Sequence, residues 1–163
     1  MDASSLVHVL GKLRFSESLS GAALAQIAAM ATLRGFPAGT VLFREGARNV
    51  ELMIVTVGRV ALEMRVPGRG DVRIISLGPG DIVAWSALLG DGRMTTSAVA
   101  LEDTQVVCLP AEGVAALCQD EPAIGYDLMH KLAHALADRL VATRLQLLDL
   151  FADADVVAPL GPD

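Results

Sequence analysis

The chain has 163 residues, a net charge of −6, 53% hydrophobic residues and only two lysines, Lys12 and Lys131. That length fits one domain with an added helix, able to bury roughly 70% of its unfolded surface without a staple. An acidic chain with scattered arginines lacks the footprint of a phosphate-backbone binder, and no window reaches the roughly 18 uninterrupted apolar residues of a membrane span, so direct DNA contact and membrane insertion are disfavoured.

MDASSLVHVLGKL opens with no basic segment before its apolar residues, so a cytoplasmic location is expected. SGAALAQIAAMATL (20–33) predicts a helix, with Ser20 as N-cap and Leu24, Ile27, Ala28 and Ala31 at helical spacing; Gly35 and Pro37 stop it. From 36 to 109 the pattern changes to short strands. ELMIVTV (51–57) is apolar on both faces, which predicts a buried strand. VALEMRV (60–66) alternates, with Val60, Leu62, Met64 and Val66 on one face and Glu63 and Arg65 on the other. PGRG (67–70) reads as a turn into DVRIISL (71–77), giving a hairpin. TSAVAL (96–101) and QVVCLP (105–110) are two more strands, parted by Glu102 and Asp103.

Glycine-punctuated short strands predict an antiparallel sandwich or jelly roll of roughly eight strands. AEGVAALCQ (111–119) is a short helix, and Pro122 opens a long one running to about 151. Along it Met129, Ala133, Leu136, Leu140, Thr143, Leu147 and Leu150 alternate steps of four and three, a heptad seam that predicts a homodimer through helix 122–151. A second stripe, Leu128, Leu132, Leu145 and Leu148, is expected to pack on the β-domain. The acidic, proline-bearing segment 152–163 reads as a disordered tail. Cys108 and Cys118 lie in apolar runs without CxxC spacing and read as core thiols.

FPAGTVLFREGARNVELMIVTVGRVAL (36–62), LGPGDIVAWSALLGDG (77–92), AVALEDTQVVCLP (98–110) and ADRLVATRLQLLDLF (137–151) together resemble a cyclic-nucleotide-binding domain of the Crp/Fnr (catabolite activator) superfamily. The resemblance implies a mainly β fold with flanking helices: a double-stranded β-helix, or jelly roll, plus a long C-terminal dimerisation helix. Residues 1–151 are expected to form that domain, with no helix-turn-helix after it. It also implies a regulatory role rather than an enzymatic one, and a ligand site in the stretch 80–96, the phosphate-binding cassette. There, amides at a short helix meet a cyclic phosphate, an arginine neutralises it, and a glutamate accepts from the ribose hydroxyl.

Laid on this chain without gaps, the family's glycine becomes Ala84, its glutamate Trp85 and its arginine Met94; the next hydroxyl is Thr95 and the small residue Thr96. Hydrogen bonds to charged groups contribute roughly 1.5–3 kcal/mol each, so losing two weakens binding by about 3–6 kcal/mol, a factor of about 10² to 10⁴. Tight cAMP or cGMP binding is therefore disfavoured and no other cofactor is expected; the domain would take another small ligand or a protein partner. The pocket residues the resemblance implies are Gly80, Ile82, Val83, Ala84, Trp85, Ser86, Ala87, Arg93, Met94, Thr95 and Thr96, with Thr143 and Arg144 from the long helix. Ser86 and Ala87 offer backbone N–H groups. Arg93 would rescue anion binding if the turn slipped by one residue; otherwise it is a solvated turn residue. Trp85 either plugs the cavity, leaving a dimerisation or interaction module, or lines it as a stacking platform. Thr143 either contacts a base across the dimer or selects its register.

Other chemistry has less support. His130 and His134 stand at i and i+4, but no third ligand is obvious, so no metal site is expected. His8 is a poor haem ligand, Ser86 has no histidine nearby in sequence, and no catalytic residue is assigned.

Overall fold

The computed structural model describes residues 3–13, 16–17 and 19–155. Helix α1 (Ala3–Gly11) precedes α2 (Gly21–Met30), whose Ser20 cap accepts a hydrogen bond from the Ala23 amide at 3.2 Å. The expected helix over 20–33 ends early. Ala31 turns extended, and Thr32–Phe36 becomes strand β1, because its backbone pairs with β7 (Thr104–Pro110) from Thr32 opposite Cys108 to Phe36 opposite Thr104. Backbone pairing with a buried strand overrides the helical spacing of a segment that itself buries only Leu33 and Phe36 in part.

Between them run β2 (Val41–Phe43), β3 (Glu51–Val57), β4 (Val60–Val66), β5 (Gly70–Leu77), the four-residue helix α3 (Ser86–Leu89) and β6 (Ser97–Ala100). Seven strands among the described residues form two antiparallel sheets, ordered β1-β7-β3 and β2-β6-β4-β5. The β4–β5 hairpin turns where expected, Gly68 taking φ +78°. The inward alternation of β4 holds only in part, since Met64 is 39% exposed. The register shifts at Leu62/Glu63, and β6 covers β4 only from Val60 to Glu63, so the hairpin's far half leaves the core.

Two apolar clusters share β3 and β7. Leu52, Ile54, Val107 and Leu109 face the helices, where they meet Leu10, Ile27, Val114 and Leu128. Met53, Val55, Val106 and Cys108 face the space between the sheets, with Phe43, Val60, Leu62 and Met94. Period-two alternation with both faces covered explains why these strands read as continuous apolar runs.

Helix α4 (Ala111–Asp120) leads into α5 (Pro122–Asp155), a 34-residue helix about 51 Å long. Its first half closes the helical cluster: Leu128 and Leu132 are 3% and 2% exposed, with Met129 and Leu136 packed alongside. The second stripe does not stay on the domain as expected. Leu145 and Leu148 are 57% and 64% exposed, since the helix outruns the body it packs on. The side chains of Leu147 and Leu150, and residues 156–163 of the expected tail 152–163, lie outside the described residues, while α5 continues through 152–155. No described helix is long and apolar enough to cross a membrane.

Candidate functional site

Residues 78–83 run along β3 as an irregular extra strand. Gly80 donates to the Val55 carbonyl at 2.8 Å, Val55 to Asp81 at 3.0 Å, and Val83 to Met53 at 2.8 Å, with Ile54 bridging Ile82. The Asp81 carboxylate accepts from the Gly78 amide at 2.8 Å and fixes the turn. Val83 and Ala84 then enter the inter-sheet core, and α3 follows. The Ala87 amide, expected to be free for a ligand, donates to the Ala84 carbonyl at 3.2 Å.

After α3 the chain is clasped by the loop 44–49. Gly92 takes φ +80°, and a Cβ there would stand 3.0 Å from the Asn49 carbonyl, so this close crossing suits only glycine. Met94 donates to the Ala47 carbonyl at 2.9 Å and accepts from the Gly46 amide at 2.8 Å. This register sends Met94 inward. It is 2% exposed, and its sulfur lies 4.0 Å from both Ser86 Oγ and Asn49 Nδ2. Arg93 points outward, 74% exposed at its side chain, with its amide donating to Asp91 at 3.0 Å. Moving Arg93 inward would break both Met94 backbone bonds and flip the neighbouring side chains.

A cavity of about 160 Å³ remains between the β4–β5 sheet, the cassette and α5, lined by Leu62, Ile74, Ile75, Trp85, Thr95, Thr96, Arg139 and Thr143. Of the expected residues it gathers Trp85, Thr95, Thr96 and Thr143. Ile82, Val83, Ala84, Ser86 and Met94 are buried behind it, Ala87 is half-buried against the inter-sheet core, and Arg144 and Arg93 are exposed. Trp85 is half-buried: it packs on the helical cluster and walls the cavity. The Thr143 hydroxyl donates to the Arg139 carbonyl one turn back at 2.7 Å, leaving its oxygen able to accept.

Arg139 was not among the expected residues, although it stands at i−4 from Thr143 and so on the same helical face. Its Nη2 donates to the Ile82 carbonyl, tying the cassette backbone to α5. Its Nε and Nη1 are buried without a partner among the described residues. Burial draws the guanidinium's pKa below the ordinary arginine value, and Asp81 opposes the shift.

Arg139 also borders a wider cleft of about 510 Å³ between β5 and α5, whose wall includes Glu17, Asp81, His130, Lys131, His134 and Asp138. Tyr126, His130 and His134 form a ladder of rings, with centroids 5.8 and 4.5 Å apart. Among the described residues no three His, Cys, Asp or Glu side chains gather as a metal site would need. Cys108 and Cys118 are free thiols.

The family model of the cyclic nucleotide-binding domain matches residues 33–121. The cyclic AMP receptor protein of Thermus thermophilus is 34% identical over 114 residues, 70% of this chain and 51% of that protein, so the chain spans about half the length of this curated relative. The crystal structure of the T. thermophilus catabolite activator protein aligns with a TM-score of 0.68 at 30% identity, over 85% of this chain and 62% of that one. A cyclic nucleotide-binding domain from Methylobacillus flagellatus shares the fold, with a TM-score of 0.77 at 19% identity over 98% of this chain and 85% of its own. A jelly roll closed by a long helix, with the cassette between them, thus meets a family model over more than half the chain: this protein belongs to the cyclic nucleotide-binding domain family, of the Crp/Fnr type.

Proposed function

We propose that this chain is a ligand-responsive regulatory domain that has given up tight cyclic-nucleotide binding and takes a smaller ligand in its cassette. Burial of Met94 carries the reading. An uncharged thioether, 2% exposed and held in place by two backbone bonds, fills the position where the family pattern has its arginine. The remaining cavity, about 160 Å³, falls below the roughly 300–1,000 Å³ common for drug-sized ligands. The output runs through α5, since Arg139 joins the Ile82 carbonyl to that helix and any change at the cassette backbone pulls on it.

Calorimetric titration of cAMP and cGMP tests this. Millimolar or weaker Kd values are expected for both nucleotides, with no change on Arg93→Ala, because that side chain faces solvent. Nanomolar or low-micromolar binding of either nucleotide overturns the reading.

A second reading, a dimerisation or docking module without a ligand, draws on a different observation: Leu140, Val141, Leu145 and Leu148 are all more than half exposed on α5. It gains if small molecules leave both the Trp85 fluorescence and the melting temperature unmoved.

A further inference from the structure

The cassette cavity has one charged wall residue, Arg139; the others are the indole of Trp85, the aliphatic side chains of Leu62, Ile74 and Ile75, and the hydroxyls of Thr95, Thr96 and Thr143. No carboxylate lines it. In the wider cleft, by contrast, the carboxylates of Glu17, Asp81 and Asp138 outnumber the cations Lys131 and Arg139. Arg139 has only Nη2 engaged, by the Ile82 carbonyl, while Nε and Nη1 are buried and unpartnered among the described residues. A guanidinium shielded from water with unfilled donors is a costly arrangement, and an oxyanion seated against its planar fork removes most of that cost.

Size and shape narrow the occupant. A cavity of about 150 Å³ accepts a single benzene ring, and this one measures about 160 Å³. An indole offers a stacking face to such a ring. One cation without a second nearby in the wall matches a single negative charge better than a phosphate dianion.

Resting on the proposal that the cassette takes a small ligand, we propose that this ligand is a single-ring monocarboxylate, its carboxylate held by Arg139 of α5 and its ring laid against Trp85. The anion is thus received by the helix and not by a cassette side chain. Its arrival would compete with, or share, the Nη2 bond to Ile82, so binding would change the tie between cassette and helix.

Benzoate and its neutral isostere benzamide are the probes, titrated into the full chain with Trp85 fluorescence and thermal melting as readouts. Benzoate is expected to shift both signals at least tenfold more tightly than benzamide. Arg139→Gln is expected to abolish that preference; should it fail to fold, Arg139→Lys, which keeps the charge but loses the fork, is expected to weaken benzoate by about tenfold while leaving benzamide unchanged. Equal binding of the two probes, or a preference that survives Arg139→Gln, overturns the carboxylate assignment and leaves the small-ligand reading standing. Silence toward both probes overturns the single-ring assignment, whereas nanomolar or low-micromolar binding of a cyclic nucleotide overturns the reading on which it rests.

Discussion

Met94 and Arg93 are neighbours with opposite fates, and two backbone hydrogen bonds to the loop 44–49 decide between them. At about 1 kcal/mol each, these bonds oppose a register slip that would also bury a guanidinium among apolar side chains. Cys108 is sealed in the same inter-sheet core, at 0% exposure. Burial pushes its thiol pKa from 9.0 up to about 11, with the Arg34 charge working against the shift. The sign of the consequence follows from linkage: below pH 9 both states hold the proton, whereas between 9 and 11 only the unfolded chain releases it, so stability falls. A loss of about 2–3 kcal/mol across that window is expected. Denaturant melts of the wild type and Cys108→Ala at pH 8, 9, 10 and 11 separate this thiol from other alkaline titrations; if both lose stability in parallel, the assignment to Cys108 is wrong.

Helices α4 and α5 cross at Gly125, where an added Cβ would stand 2.7 Å from the Cys118 carbonyl. Helix propensity alone would make Gly125→Ala stabilising by about 1 kcal/mol. The crossing reverses that sign: backbone cannot move aside as a flexible side chain can, and a net loss of about 1–3 kcal/mol is expected in thermal melts. An unchanged or raised melting temperature would show that the crossing is looser than these distances. Elements of this kind mark how far the sequence could be read. Ser20, Gly68, Pro122 and the apolar runs of 51–57 and 105–110 are local signals, and the helix cap, hairpin, long helix and buried strands stand where they point. Local spacing predicts helix at Thr32 and Leu33, whereas the partner that makes them a strand, β7, lies more than 70 residues away. The resemblance implies that the cassette begins at GPGD and that Trp85 and Met94 stand where the family pattern carries charge. Arg139 was not legible, because its role depends on a tertiary contact with the Ile82 carbonyl 57 residues earlier.

On the scale of the whole molecule, α5 divides its apolar residues between two uses. Met129 and Leu136, assigned by heptad spacing to a partner, instead pack partly on the chain's own helical cluster. From Arg144 on, the described side chains of the helix are exposed, and Val141, Leu145 and Leu148 repeat steps of four and three with more than half of each side chain exposed. Such a stripe beside Leu140 is what a second copy of the helix would cover in a left-handed pair. The double variant Leu145→Glu, Leu148→Glu places like charges on that stripe without touching the core of one chain. Monomer stability should therefore stay within about 0.5 kcal/mol, while sedimentation equilibrium should move from dimer to monomer. Because Arg139 sits just before the stripe, dimer strength should also respond to whatever occupies the cassette cavity, with benzoate changing the association constant of the wild type. A wild-type chain that sediments as a monomer at every concentration, or a double variant that still dimerises, would place the subunit contact somewhere other than this half of α5.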